Sequence, residues 1–238
     1  MAGAAAADGV SIVVCTNRPE FIGNILANYR NQRYRKKELI LILNKDSMKL
    51  SLYQAVTRKY DDVRVYQVPE TISLGQCLNC GIAKARYPLI AKFDDDDYYS
   101  PYYLKEQVKA LYRTKSDVVG KHSCLVYLAA AKRLLLRSPG EKDKVSLLVQ
   151  GGTILFRRRV LARVRFADRS IGEDVRFLID CRKKGYKTYA TSPYNYVYMR
   201  RRDKQSHTWR VGDDFYRKGS LALGVTDNYE KYADRTIR

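Results

Sequence analysis

Four consecutive aspartates, Asp94 to Asp97, follow the apolar run Leu89-Ile90-Ala91-Lys92-Phe93 and precede Tyr98-Tyr99. Carboxylates held this close repel one another, and each raises its neighbour's pKa unless a cation intervenes. Fixed at the end of a buried strand, the run suits a hard divalent ion, Mg²⁺ or Mn²⁺, whose remaining ligands are water and phosphate oxygens. A solvated acidic turn capping the next helix is the plainer reading of such residues, but four in a row at a sheet edge is costly for that purpose. A second acidic pair, Glu173-Asp174, follows Gly172 at the start of a helical pattern that runs to Lys184. Carboxylates stabilise a helix N-terminus through its dipole without doing chemistry, so this pair taken alone reads as a cap before it reads as a general base. Gly151-Gly152 permits close approach of a ligand to the backbone, or a tight turn before a strand.

The elements that must hold these groups are legible in the hydrophobic pattern. Val10 to Cys15 is a short apolar strand, and Thr16-Asn17-Arg18-Pro19 behind it can cap a helix with proline in the first turn. Phe21, Ile22, Ile25, Leu26 and Tyr29 fall at helical spacing to about Gln32. Glu38 to Leu43 reads as a strand buried on both faces, Leu52 and Val56 as a weaker helix, and Val63 to Val68 as a strand. Ser73 caps a helix through Leu74, Leu78, Ile82 and Ala85, Pro88 closes it, and Leu89 to Phe93 is the fourth strand. Strand and helix alternating at near-even intervals predict parallel βαβ units with right-handed crossovers. Ligands bind at the carboxyl ends of such strands, where Thr16, Asn17, Asn44, Asp46 and Asp94 to Asp97 stand. After a capped helix through Leu104, Val108 and Leu111 the period changes. Val118-Val119, Cys124 to Ala130 and Leu134 to Leu136 read as short antiparallel strands, Ser138 to Glu141 as a turn, and Thr153 to Phe156 as another strand. A helix from Glu173 then ends at Gly185. The stretch from Arg200 is basic and polar. No solenoid-type repeat or proline-rich linker divides the chain, so one domain is expected.

Composition bounds the function. A chain of 238 residues with 45% hydrophobic content can build a substantial core. Lys and Arg number 45 against 25 acidic residues, a formal charge of +20 that points to polyanionic partners: nucleic acid, an anionic membrane face, or phosphorylated substrates. The basic clusters, Arg30 to Lys37, Arg157 to Arg165, Arg182 to Lys184 and Arg200 to Lys204, are dispersed, and no nucleic-acid-binding signature accompanies them. A nucleic-acid binder is therefore the rival reading, weakened by four aspartates that would repel a phosphate backbone. A metal-dependent nucleotidyltransferase would carry a glycine- and basic-rich loop after strand one, where Thr16 to Glu20 stands instead. Cys77-x-x-Cys80 has no second pair and no suitably spaced histidine, so it reads as buried or partly buried thiols rather than a zinc site. No apolar run approaches the roughly 20 residues that span a bilayer. Residues 1–9, alanine-rich and without a basic leader, read as a disordered lead-in, which makes the cytoplasm the expected compartment.

Five blocks taken in order, Val10 to Pro19, Gly75 with Asn79, Phe93 to Tyr98, Gly151-Gly152-Thr153 and Gly172-Glu173-Asp174, resemble family-2 glycosyltransferases of the GT-A fold. The resemblance runs from about Val10 to Trp209 and is closest in kind to small bacterial enzymes that decorate cell surfaces, capsules or spore coats. It implies an α/β fold with a Rossmann-like, mostly parallel central sheet flanked by helices and a smaller antiparallel acceptor-side portion. Within one domain, 10–238, it implies a nucleotide-sugar half (10–100), an acceptor half (101–199) and a basic C-terminal segment or lid (200–238). The implied activity is inverting transfer of a hexosyl or N-acetylhexosaminyl group from a UDP-sugar to a saccharide or other hydroxyl acceptor, with Mn²⁺ or Mg²⁺. By position, Thr16, Asn17, Arg18 and the Asn44/Asp46 segment would hold the nucleoside, Asn44-Lys45-Asp46-Ser47 standing where the family has an acidic-Gly-Ser pattern. Gly75, Asn79, Asp94 and Asp95 fall on the donor side, and Asp96 would bind the metal, joined by His207. Arg200 to Arg202 and Lys204 would clamp the diphosphate, Arg202 foremost. Asp174 would be the general base with Glu173 beside it, and Gly151, Gly152 and Thr153 would face the acceptor. The basic excess also suits peripheral contact with an anionic membrane on its inner face.

Overall fold

A computed structural model describes residues 8–203, 209 and 211–237. Its first half is the expected alternation: β1 (Val10–Thr16), α1 (Ile22–Asn31), β2 (Lys37–Leu43), α2 (Leu50–Thr57), β3 (Val63–Gln67), α3 (Leu74–Ala83) and β4 (Leu89–Phe93). The strands are almost continuously apolar because helices cover both faces of the sheet. Alternate residues of β1 and β2 therefore serve opposite cores. Ile12, Val14, Leu39 and Leu41 pack with Ile25 and Leu26 of α1, while Val13, Ile40 and Ile42 pack with Leu78 and Ile82 of α3. Ser73 caps α3 by accepting the Gln76 amide at 3.3 Å, a contact whose loss typically costs about 1 kcal/mol. Cys77 faces the core, but Cys80 is exposed, on the solvent side of the same helix.

The second half supplies β5 (Tyr98–Tyr99), α4 (Tyr103–Arg113), β6 (Val118–Gly120), β7 (Cys124–Leu128), β8 (Arg133–Arg137), β9 (Lys144–Val145), β10 (Leu155–Arg157), α5 (Glu173–Lys183), β11 (Thr188–Ala190) and β12 (Tyr196–Arg200). After it come α6 (Asp213–Arg217), β13 (Ser220–Val225) and α7 (Glu230–Ala233). The large sheet has the order β3-β2-β1-β4-β10-β6-β11-β9, parallel from β3 to β4, with β10 antiparallel to both its neighbours. A smaller sheet, β13-β8-β7-β12-β5, is antiparallel except for β7 beside β12.

Four expectations change. Val118-Val119 leaves the antiparallel set: as β6 it lies parallel to β11 in the large sheet. Thr153 does not begin a strand, because Gly151–Thr153 is a single 3₁₀ turn and β10 starts at Leu155. The polar C-terminal stretch yields an edge strand, β13, and two short helices, anchored by fully buried Tyr216 and Ala233. Asp8 and Gly9, at the end of the presumed lead-in, are fastened too: Tyr34 donates to the Asp8 carbonyl at 2.6 Å, and Gly9 is buried. Among the described residues, no helix is long and apolar enough to cross a membrane.

Candidate active site

The carboxyl ends of β1, β2 and β4 meet the N-terminus of α5 around a cleft of about 380 Å³. Its walls include Thr16, Asn17, Arg18, Asn44, Asp94, Asp95 and Asp96 on one side, and Gly151, Gly152, Glu173 and Asp174 on the other. A wider groove of about 560 Å³ between α2 and β3 has no acidic residue in its lining.

The four aspartates divide by direction. Asp95 and Asp97 turn inward, 3% and 1% exposed, and fasten the loop. Thr16 donates its hydroxyl to Asp95 Oδ2 at 2.6 Å, and Arg18 Nε donates to the same oxygen at 3.1 Å. Asp97 accepts the Tyr196 hydroxyl at 2.5 Å and the Met199 amide at 2.9 Å, tying the loop to β12. Burial, and then the charge of Asp94, push the Asp97 carboxyl up to about 7 against these two bonds. Asp94 and Asp96 face the cleft. Asp94 is ion-paired with Lys92, and Asp96 with Arg201 and, at 3.3 Å, with Arg18. Both guanidinium groups stand over the Phe21 ring, 4.8 and 5.1 Å from its centre.

Lys92 is the residue that pattern reading passed over. It sits in β4, only 4% exposed, two positions before Asp94 and so on the same side of the strand. Burial pulls its pKa down, but the charges of Asp94, Glu173 and Asp174 outweigh burial and hold the ammonium protonated. A lysine inside an otherwise apolar, doubly covered strand was the signal available in the sequence.

Across the cleft, Glu173 is 5% exposed. Its carboxyl is pushed up to about 7, first by burial and also by the neighbouring Asp174, with Lys92 opposing. Asp174 is more open: one oxygen accepts the Val175 amide at 2.7 Å. The other lies over Gly151, where an added Cβ would come within 2.1 Å of it. A Cβ on Gly152 would likewise meet Asp94 Oδ2 at 2.7 Å, so this glycine pair lets both carboxylates approach the turn from opposite sides.

Other expected positions serve the scaffold. Gly75 lies under the 166–170 loop, where a Cβ would stand 1.8 Å from the Ala167 carbonyl oxygen. Asn79 clamps that loop by donating to the Phe166 carbonyl at 2.8 Å and accepting its amide at 3.2 Å. Both thus hold the segment that leads into Glu173, and neither lines the cleft. Asn44 is on the cleft wall, donating to the Pro69 carbonyl at 2.7 Å, whereas exposed Asp46 exchanges 3.2 Å bonds with Glu70. Thr153 is buried, its hydroxyl accepting the Lys121 amide at 2.8 Å. Arg202 is exposed and away from the cleft, its neighbour Arg201 reaching Asp96 instead. Arg200 is fully buried over Tyr216 and donates to the carbonyls of Trp209 and Val211. Tyr196, Tyr198, Gln150 and Trp209 also line the wall. Lys204 and His207 lie outside the described residues.

Comparison with known proteins bears on what this arrangement does. Residues 11–123 match the model of Glycosyl transferase family 2. The poly-beta-1,6-N-acetyl-D-glucosamine synthase of Staphylococcus aureus (strain COL) is 26% identical over 191 residues, covering 74% of this chain and 46% of the relative. The chain thus spans about half the length of the curated relatives it matches. The structure of S. aureus TarS in complex with UDP-GlcNAc superimposes with a TM-score of 0.64 at 19% identity, covering 88% of this chain and 64% of that one. The mannosyltransferase PcManGT from Pyrobaculum calidifontis, in complex with GDP-Man and Mn²⁺, gives 0.61 at 21% identity, with 82% and 57% covered.

Proposed function

Starting from the glycosyl transferase family 2 domain that this chain carries over residues 11–123, on a GT-A fold, we propose that it moves a sugar from a UDP-sugar to a hydroxyl acceptor, with inversion and with a divalent cation. The observation that carries this reading is the pairing, across one cleft, of the outward carboxylates Asp94 and Asp96 with the acidic pair Glu173-Asp174. Among the described residues no three acidic, histidine or cysteine side chains converge on one point. Asp94 and Asp96 offer hard carboxylate oxygens at the cleft, the kind of ligand of which Mn²⁺ or Mg²⁺ takes one or two, its other oxygens coming from water and the substrate's diphosphate. Asp96 would hold it, and its chemistry there is to neutralise charge on the departing diphosphate.

The chain's own residues divide the remaining work. Asn17 and Asn44 offer amide groups to the base and ribose, and Asp94 accepts from a ribose hydroxyl. Arg18 and Arg201 supply cationic donors where diphosphate charge develops. Asp174 removes the proton from the acceptor hydroxyl as that oxygen attacks the anomeric carbon from the Gly151-Gly152 side. Buried Lys92 keeps the two carboxylate groups in one electrostatic frame.

The relatives' names favour an N-acetylhexosaminyl group as cargo and polysaccharide as product. Five thiols without a disulfide suit the cytoplasm, and the charge of +20 suits peripheral contact with the inner face of a membrane. A thermal-shift panel of nucleotides and nucleotide sugars, with and without Mn²⁺, tests the reading, since a ligand that binds only the native state raises Tm by mass action. A Mn²⁺-dependent rise with UDP or a UDP-sugar is expected; no response to any nucleotide would refute it.

A further inference from the structure

The same sheet that presents acid at its carboxyl ends presents base at its amino ends. Three segments at that pole, Arg33–Lys37, Arg157–Arg159 and Arg182–Lys187, hold eleven basic side chains and no acidic one. Lys59 precedes β3, Lys84 and Arg86 precede β4, and Lys115 precedes β6. Their adjacency follows from the strand order, because β3-β2-β1-β4-β10-β6-β11 are consecutive neighbours and β10, running the other way, delivers its C-terminal arginines to the same edge. Seven strands about 4.8 Å apart make a row roughly 30 Å long. The acidic residues here cancel only part of it. Asp62 and Asp117 pair with Arg86 and Arg159, two of these cations, Glu38 pairs with Arg64 and Arg86, and Asp8 and Asp61 offset a little more.

Helix dipoles rationalise part of this charge, because α1, α4 and α5 end at this pole with Arg30, Arg113, Arg182 and Lys183 in their last turns. Lys187 donates to the carbonyl of Thr114, which caps α4. Arg157 and Arg158 donate to the carbonyls of Ser116 and Ala85, and Arg159 pairs with Asp117. Helix ends do not account for Arg35 and Lys36 in the loop before β2. Two tyrosines stand among the cations. The Tyr87 ring has Lys36 and Arg86 each 5.9 Å from its centre. Tyr112, 43% exposed, lies under Arg157 at 4.7 Å.

We propose that this amino-end face docks on an anionic phospholipid bilayer, with the cleft facing away from it. The inference gives a location to the membrane contact suggested above and does not depend on the transferase reading. A bilayer is favoured over a nucleic acid because the cations form a broad field widened by helix ends, rather than a track along one groove. Tyrosines with polar tips also suit the headgroup level. Strands of five to seven residues set the cleft about 20 Å from the lipid surface, so the acceptor reaches it from the aqueous side.

Flotation of the full chain with vesicles tests this. Phosphatidylcholine vesicles containing about 30% phosphatidylserine should carry the protein at ~0.1 M salt, and pure phosphatidylcholine should not. Each basic residue near such a surface contributes roughly fivefold in affinity. Reversal of Arg35, Lys36, Lys84 and Lys184 to Glu should therefore weaken binding by more than about a hundredfold. Reversal of Arg133, Lys142, Lys218 and Lys231 to Glu, all exposed elsewhere, makes the same change in net charge and should cost far less. Matching Tm values verify that both sets fold, and a glutamine set replaces any that does not. Absence of binding to the anionic vesicles, or equal loss in both variants, would overturn the proposal. So would preference for an RNA oligonucleotide over vesicles at equal phosphate. UDP binding by the amino-end variant should match wild type, which separates failure here from failure of the transferase reading.

Discussion

The two acidic clusters that face each other across the cleft are built on opposite principles. Along Asp94 to Asp97 the carboxylates have counter-groups at hand: Lys92, Thr16 with Arg18, Arg201, and the Tyr196 hydroxyl with the Met199 amide. At Glu173-Asp174 compensation is thin. Glu173 is buried with its carboxyl pushed up to about 7, and Asp174 accepts the Val175 amide on one oxygen while the other stands over a glycine. The outward carboxylates of the compensated cluster, Asp94 and Asp96, can exchange their internal cations for a metal and a diphosphate, while Asp97, buried beneath them, is pushed up to about 7 as Glu173 is. Across the cleft Glu173, beside Asp174, holds proton affinity near neutrality, the range in which proton transfer is efficient. In the proposed mechanism the outward carboxylates Asp94 and Asp96 carry charge and the Glu173-Asp174 wall carries proton chemistry.

Removing the carboxylate from the second wall should give the largest effect. Asp174→Asn keeps the shape but cannot accept the acceptor's proton, so single-turnover transfer should fall about 10²- to 10⁴-fold with UDP affinity unchanged. Near-wild-type transfer would remove Asp174 from the mechanism and make Glu173 the next candidate. A smaller break comes from Gly151→Ala, whose Cβ would stand 2.1 Å from Asp174 Oδ2 and must displace that carboxylate. Misplacement of a catalytic group by about 1 Å can cost around 10²-fold, and transfer should drop towards that figure while Tm stays nearly constant. Unchanged transfer in this variant would show that the position of Asp174 is immaterial.

The subtlest effect is on stability against pH. Glu173 has a folded pKa near 7 against an ordinary 4.5, so between those values the native state binds more protons than the unfolded one. Stability should therefore fall as pH rises through that window. Asp97, also raised to about 7, adds to the same slope, so the difference between wild type and Glu173→Gln isolates Glu173. That difference should change by up to about 3 kcal/mol between pH 4.5 and 7 in denaturant titrations. A flat difference would mean that Glu173 ionises freely and that the two walls are alike.

Periodicity made the parallel half of the molecule legible, because strands buried on both faces read as continuous apolar runs and their helices repeat at fourfold spacing. The same logic placed Asp94 to Asp97 at a strand end. It did not reveal which of the four point outward, since that depends on Thr16, Arg18 and Tyr196, distant in sequence and brought there by the sheet order. Gly75 and Asn79 stand out in the sequence, but what they grip is a loop some 90 residues later, Asn79 and Phe166 being 87 positions apart. Lys92 was hidden inside an apolar run, and β13 inside a polar stretch where only pairing with β8 makes it a strand.

In the proposed mechanism Asp96 meets a nucleotide diphosphate through a divalent cation. Calorimetric titration of UDP into the protein, first in EDTA and then in Mn²⁺, measures that directly, with Asp96→Asn run beside wild type. Wild type should bind UDP measurably only with Mn²⁺, and the variant should lose more than roughly tenfold of that affinity. Equal UDP affinity with EDTA and with Mn²⁺, or a variant indistinguishable from wild type, would contradict it.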